Sequence, residues 1–230
     1  MRAVGPARAE RIVGDNPGMG ESVLGRVDHL VYAAPDLMAA GEGLEERLGV
    51  RAAEGGRHPA ERTRNFLMAL GPASYLEVIG PDVEAAATDR ARWFGIDRLK
   101  EPRLVAWAAR AEDLERDAAS AAAAGIHLGR VASGSRQTAD GQLLSWRFTD
   151  PRAIVEGGLV PFLIDWGQTP HPALSVPRGA ILRELRVEHP NPERVRQTLS
   201  VLGLALPVRR GPIPALTALL ETPRGPVALR

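Results

Sequence analysis

Apolar and polar positions alternate along three short stretches of the chain, and each stretch runs into a helical stripe that closes on a glycine. The first stretch is Val27-Asp28-His29-Leu30-Val31-Tyr32-Ala33, followed by Pro35-Asp36 and then by Leu37, Ala40, Leu44 and Leu48 before Gly49. Alternation with period two predicts a strand. The i, i+3, i+4 recurrence predicts a helix with one apolar face, and the glycine predicts its C-terminus. The second stretch is Leu104-Val105-Ala106-Trp107-Ala108, with a helix expected over residues 112–124 up to Gly125. The third is Leu182-Arg183-Glu184-Leu185-Arg186-Val187-Glu188, with a helix over residues 192–202 up to Gly203.

After each helix the pattern returns to strand spacing. Residues 65–70 and 74–79 read as paired strands around Gly71-Pro72, and residues 143–149 and 161–166 read as strands of the second unit. Residues 133–141 read as a polar hairpin tip, and 81–92, acidic and alanine-rich, as a connecting helix. Internal repetition of this kind fixes architecture before any local motif does. The expectation is an α+β fold of repeated βαβββ modules, with curved mixed sheets around a shared cavity. The modules span residues 25–80 and 102–168, with a third, shorter βαββ module at 178–230 packed on the same domain. Residues 1–24 read as a flexible lead-in without the apolar core of a signal peptide.

Composition narrows the function classes. The chain has 230 residues, a formal net charge of +1 and 44 % hydrophobic content, enough for a sizeable core. Its arginines are scattered without aromatic interleaving, which argues against a nucleic-acid surface. No cysteine is present, so disulfides, thiolate nucleophiles and thiolate zinc sites are excluded. That usage suits a cytoplasmic protein, and no apolar run reaches the roughly 20 residues of a membrane span. The richness in Ala, Arg, Gly and Pro has the look of bacterial genomic bias. No phosphate-binding glycine loop follows a strand; Gly14-Asp15-Asn16-Pro17-Gly18 stands alone.

Two polar side chains stand out on strand faces that should be apolar. Val27, His29, Val31 and Ala33 share one face of the first strand, and Tyr75, Glu77 and Ile79 one face of a later one. A carboxylate there costs several kcal/mol unless paired, and such acids gather at functional sites. The plain structural alternative for Glu77 is an ion pair with Arg64 or Arg147. His58, Arg64 and Asn65 are candidate substrate contacts on loops at one sheet end, and Trp107, Trp146, Asp165 and Trp166 are candidates on strands of the second unit. His171, between prolines, reads as a surface residue.

The segments Asp28-His29-Leu30-Val31-Tyr32, Gly55-Gly56-Arg57-His58-Pro59, Thr63-Arg64-Asn65 and Tyr75-Leu76-Glu77-Val78-Ile79 resemble the glyoxalase-like branch of the vicinal-oxygen-chelate superfamily. Pro161-Phe162-Leu163-Ile164-Asp165-Trp166-Gly167, with His171-Pro172 after it, is similar to the second half of that branch. The resemblance implies a small-molecule ligand, a monomer or homodimer, and a divalent metal (Zn, Ni, Mn or Fe) held by His29 and Glu77. The ligand set is incomplete. The repeat places Ala106 or Trp107 where His29 stands, and Ile164 or Asp165 where Glu77 stands. A third ligand would have to come from Asp165, His58 or His171. Two functions stay open. One is a lyase, isomerase or dioxygenase type of enzyme acting on vicinal oxygens, with Glu77 as base and His29 beside it. The other is a protein that sequesters an aromatic or antibiotic-like ligand without turnover.

Overall fold

The computed structural model describes residues 23–137, 141 and 143–230, so the segment read as an N-terminal lead-in lies almost wholly outside the described residues, as does part of the hairpin tip. A one-turn helix α1 (Val23–Arg26) leads into β1 (Val27–Ala33), α2 (Leu37–Leu48), β2 (Ala53–His58), β3 (Thr63–Ala69) and β4 (Tyr75–Pro81). The pattern repeats as β5 (Arg103–Arg110), α3 (Leu114–Ala123), β6 (Val131–Gln137), β7 (Leu143–Thr149) and β8 (Phe162–Asp165). The two sets form one curved eight-stranded sheet in the order β2-β3-β4-β1-β5-β8-β7-β6. β1 runs parallel to β4 and antiparallel to β5, and β5 runs parallel to β8, so the two sets meet along their first strands.

A shared device starts α2, α3 and the helix over Pro192–Val201. Asp36, Asp113 and Asn191 cap their helices by accepting a backbone N–H from the first turn, from Ala39, Arg116 and Arg194. Gly49 takes the left-handed conformation after α2, at φ 70°, and its N–H closes on Glu45. Leu37, Ala40, Leu44 and Leu48 are buried against the sheet, as their spacing demands.

Both faces of β1 are buried, for different purposes. Leu30 and Tyr32 join the main core under the helices, while Val31 and Ala33 face the concave side with Ile79, Phe94 and Ile96. The third unit, β9 (Ile181–His189), α4 (Pro192–Val201), β10 (Val208–Arg210), β11 (Ala215–Thr222) and β12 (Gly225–Leu229), forms its own four-stranded sheet. Leu185, Val187, Val195 and Leu199 continue the main core, and the backbone bonds Leu182 N to Leu70 O (2.9 Å) and Leu104 N to Arg230 O (3.1 Å) tie the sheets together. β10 adds a strand that the sequence pattern did not predict.

Three local expectations fail. His58, Arg64 and Asn65, expected on loops, stand on paired strands, with Arg57 opposite Arg64 and His58 opposite Thr63 in the β2–β3 register. Residues 81–92 form no helix. Asp82 turns its carboxylate onto the Glu84 N–H (3.1 Å) and Arg57 (3.2 Å), an Asx-type turn that competes with helix formation. The first part of the presumed polar tip, Ser133 to Gln137, is strand β6, paired with β7.

Candidate active site

The concave side of the sheet closes over a cavity lined by His29, His58, Asn65, Tyr75, Glu77 and Arg136, with walls of Trp93, Phe94, Trp146, Phe148, Phe162 and Trp166. Its volume is about 40 Å³. That is room for about three ordered waters. Polar groups come chiefly from the first unit, and rings chiefly from the second.

His29 and Glu77 converge. They project from neighbouring parallel strands, with Val31 opposite Glu77 in the register, and His29 Nε2 stands 3.8 Å from Glu77 Oε2. The other carboxylate oxygen, Oε1, accepts the Asn65 amide at 2.5 Å. Asn65 fits because Gly55 faces it: a Cβ there would lie 2.3 Å from Asn65 Oδ1. The His29 ring stacks on Tyr75 at 4.7 Å and meets the edge of Phe162 at 5.4 Å.

Behind His29 lies Asp28, which is fully buried. Strict alternation would send neighbouring side chains to opposite faces. A bulge in β1, where the pairing with β5 slips between Val27 and His29, puts the Asp28 carboxylate beside the His29 ring. Its Oδ1 is 2.7 Å from His29 Nδ1, and Oδ2 accepts from Trp166 Nε1 at 3.1 Å and from His171 Nε2 at 3.1 Å. His171 must donate through Nε2, since its Nδ1 accepts the Ala173 N–H at 3.2 Å. Burial pushes the Asp28 carboxyl up. The hydrogen bonds from His171 and His29, with their charges, outweigh it and hold the group at about 2. An ionised Asp28 fixes the proton of a neutral His29 ring on Nδ1 and leaves Nε2 a lone pair toward Glu77.

The remaining polar groups are tuned by burial. Burial holds His58 below its ordinary value, and its Nδ1 sits 3.2 Å from Thr63 Oγ1. Burial, then Asp28 and Glu77, raise Tyr75 well above the usual phenol range, so it keeps its proton. Burial lowers Arg136, whose guanidinium donates to Gly55 O at the cavity wall.

Several candidates lie elsewhere. Arg64 alternates away from Asn65 on β3, pairs with Glu54 at 2.6 Å and lies over Phe66, so it neither lines the cavity nor partners Glu77. Arg147 pairs instead with Glu115. Trp107 is fully buried in the main core, where its Nε1 donates to Leu159 O at 2.8 Å. Asp165 turns outward, accepting the Gly167 N–H at 2.8 Å. His58, Asn65, Trp146 and Trp166 do line the cavity. His171 is no surface residue but part of the Asp28 cluster. Arg136 was hidden in the stretch read as a turn.

The residues present do not fit a three-ligand divalent centre. His29 Nε2 and Glu77 Oε2 supply two donors; His58 lines the same cavity, with its Nδ1 on Thr63, but does not group with them into a ligand set, Asp165 turns outward, His171 has both ring nitrogens engaged, and the Arg136 cation lies on the same wall. Among the described residues, no group of three His, Asp or Glu side chains is arranged to hold a metal. No helix among them is long and apolar enough to cross a membrane.

A curved eight-stranded sheet of paired βαβββ sets enclosing a polar-headed, ring-walled hollow is the architecture of the vicinal-oxygen-chelate superfamily, whose members are small-molecule enzymes and binding proteins. The family model described as a glyoxalase-like domain matches residues 27–203, and the chain belongs to that family. No curated protein matches the sequence. Among solved structures, a hypothetical protein from Staphylococcus aureus is similar at 12 % identity and a TM-score of 0.60, covering 82 % of this chain and 87 % of that one. Methylmalonyl-CoA epimerases from Mycobacterium tuberculosis (20 % identity, TM-score 0.43, 66 % of this chain and 94 % of that one) and Streptomyces coelicolor (22 %, 0.42, 64 % and 98 %) also match. The first likeness is one of fold.

Proposed function

We propose that this protein is a small-molecule enzyme of the lyase or isomerase type, moving a proton on a substrate that carries adjacent oxygens. One observation carries the reading. A carboxylate oxygen and an imidazole nitrogen stand 3.8 Å apart in a cavity that is otherwise walled by aromatic rings. Glu77 is the base: Asn65 ties down Oε1, which leaves Oε2 to take a proton from an acidic C–H or O–H. His29, held by Asp28, receives or returns a proton through Nε2 at the neighbouring atom. Arg136 and the Tyr75 hydroxyl are donors for the oxygen on which negative charge develops. The rings keep bulk water out and strengthen each of these interactions.

Incubation in D₂O with a panel of α-hydroxy ketones and 2-oxo acids, followed by proton NMR, tests this. Wild type exchanges the activated C–H of a matching compound, and Glu77→Gln slows that exchange by about 10²–10⁴-fold with an unchanged circular dichroism spectrum. Equal exchange by the variant contradicts Glu77 as base.

A second reading has its own support in the aromatic walls, where Trp146 and Trp166 lie 5.3 Å apart and suit a flat ligand held without turnover. It predicts ligand affinity unchanged by Glu77→Gln and no exchange by wild type. The cellular compartment, cytoplasmic by its cysteine-free composition, and assembly as monomer or homodimer belong to the same proposal.

A further inference from the structure

The inner cavity, at about 40 Å³, is far smaller than the roughly 300–1,000 Å³ of ordinary small-molecule sites. A second hollow of about 480 Å³ lies directly behind it and falls within that range. Phe94, Pro151 and Phe162 belong to the walls of both. Phe162 and Phe94 form the partition, their rings 6.2 Å apart, and Phe162 also meets His29 at 5.4 Å. Phe94 holds a left-handed backbone conformation, φ 57°, uncommon for a bulky side chain.

The cleft runs between β5 of the large sheet and the approach to β11 of the small one. Leu104, Val160 and Leu216 help form its buried floor, and Ile154 and Ile213, 56 % and 61 % exposed, stand on its rim. Its shape is built in. Gly158, at φ 90°, lets its loop lie against β5, since a Cβ there would sit 2.0 Å from Val105 O. Among the described residues, Arg98 and Arg103 are the charged groups lining the cleft, no Asp or Glu joins them there, and neither forms an ion pair.

We infer that the cleft is the outer half of a bipartite site for an elongated amphipathic anion. The charged end lies on Arg98 and Arg103, the apolar body in the cleft, and a small oxygenated head passes between Phe94 and Phe162 to His29 and Glu77. The inference rests on the function proposed above only for what happens to the head. Binding in the cleft stands without it.

Isothermal titration of the full chain with decanoate, below its micelle concentration, tests the cleft, with decyltrimethylammonium as the charge control. Wild type binds decanoate and not the cation. The double variant Arg98→Glu/Arg103→Glu, both at exposed positions, weakens decanoate by about 10-fold or more and prefers the cation. Glu77→Gln binds decanoate as wild type does, so loss of catalysis and loss of the cleft read out separately. Phe94→Leu, checked for folding by its melting curve, thins the partition and shifts preference toward tetradecanoate over decanoate. Equal binding of anion and cation, decanoate affinity untouched by charge reversal, or a chain-length preference unmoved in a folded Phe94→Leu protein would overturn the proposal.

Discussion

The two βαβββ sets of the large sheet share a backbone plan and divide the labour. Aligned on their helix caps, Asp36 and Asp113, His29 corresponds to Ala106 and Asp28 to Val105. Val31 lies beside Glu77 in the last strand of its set, whereas its counterpart Ala108 lies beside Phe162. The first set therefore supplies the acid, the imidazole and the buried aspartate. The second supplies the ring that packs against them. The frame is repeated, and the chemistry is asymmetric because the first half carries most of the polar groups on the concave face while the second fills the space chiefly with aromatics. Among the described residues, the second set puts no His, Asp or Glu on the cavity wall from which a metal site spanning both halves could draw a ligand.

The sharpest way to break this contrast is to remove charge from the first set without changing volume. Asp28→Asn leaves only one oxygen for the donors from His29, Trp166 and His171, and sets an amide N–H against one of them. Turnover falls by about 10²-fold or more, because the proton of His29 is no longer held on Nδ1. Stability falls by about 1–3 kcal/mol. Steady-state rates and chemical denaturation check both.

The same residue governs acid stability. The folded Asp28 carboxyl titrates at about 2 against an ordinary 3.8. A depressed folded value contributes stability above the ordinary value and loses it as pH falls toward the folded one. Asp28 thus contributes roughly 2 kcal/mol that disappears between about pH 4 and pH 2. Urea midpoints across that range drop in wild type, and the Asp28→Asn protein lacks this component.

The second set predicts a smaller effect of a different kind. Trp107→Phe strands the Leu159 carbonyl in the core and costs about 1–3 kcal/mol in melting experiments, with turnover unchanged. Loss of rate in a folded Trp107→Phe protein would blur the division between the halves.

Much of this frame was legible in the sequence. The strand-helix rhythm, the capping residues and Gly49 specify elements through local rules, and His29 and Glu77 are conspicuous because a polar residue interrupts an apolar strand face. The rest of the site depends on nonlocal geometry. Asp28 was invisible because a bulge, set by the pairing of β1 with β5, breaks the alternation that assigned it to the other face. His171 becomes interior only when the loop after β8 folds back onto Asp28. Arg136 sits in a polar stretch whose strand character comes from pairing with β7. Trp107 and Arg64 show the converse. Residue type marked them as ligand contacts, and the direction of their side chains sent one into the core and the other against Glu54.

Nitrogen-15 NMR of the His29 ring in mildly alkaline solution probes the arrangement most directly. The ring is expected to be protonated on Nδ1, with Nε2 bare and its signal moved by Glu77→Gln. A ring protonated on Nε2, or one whose nitrogens do not respond to Asp28→Asn, would contradict it.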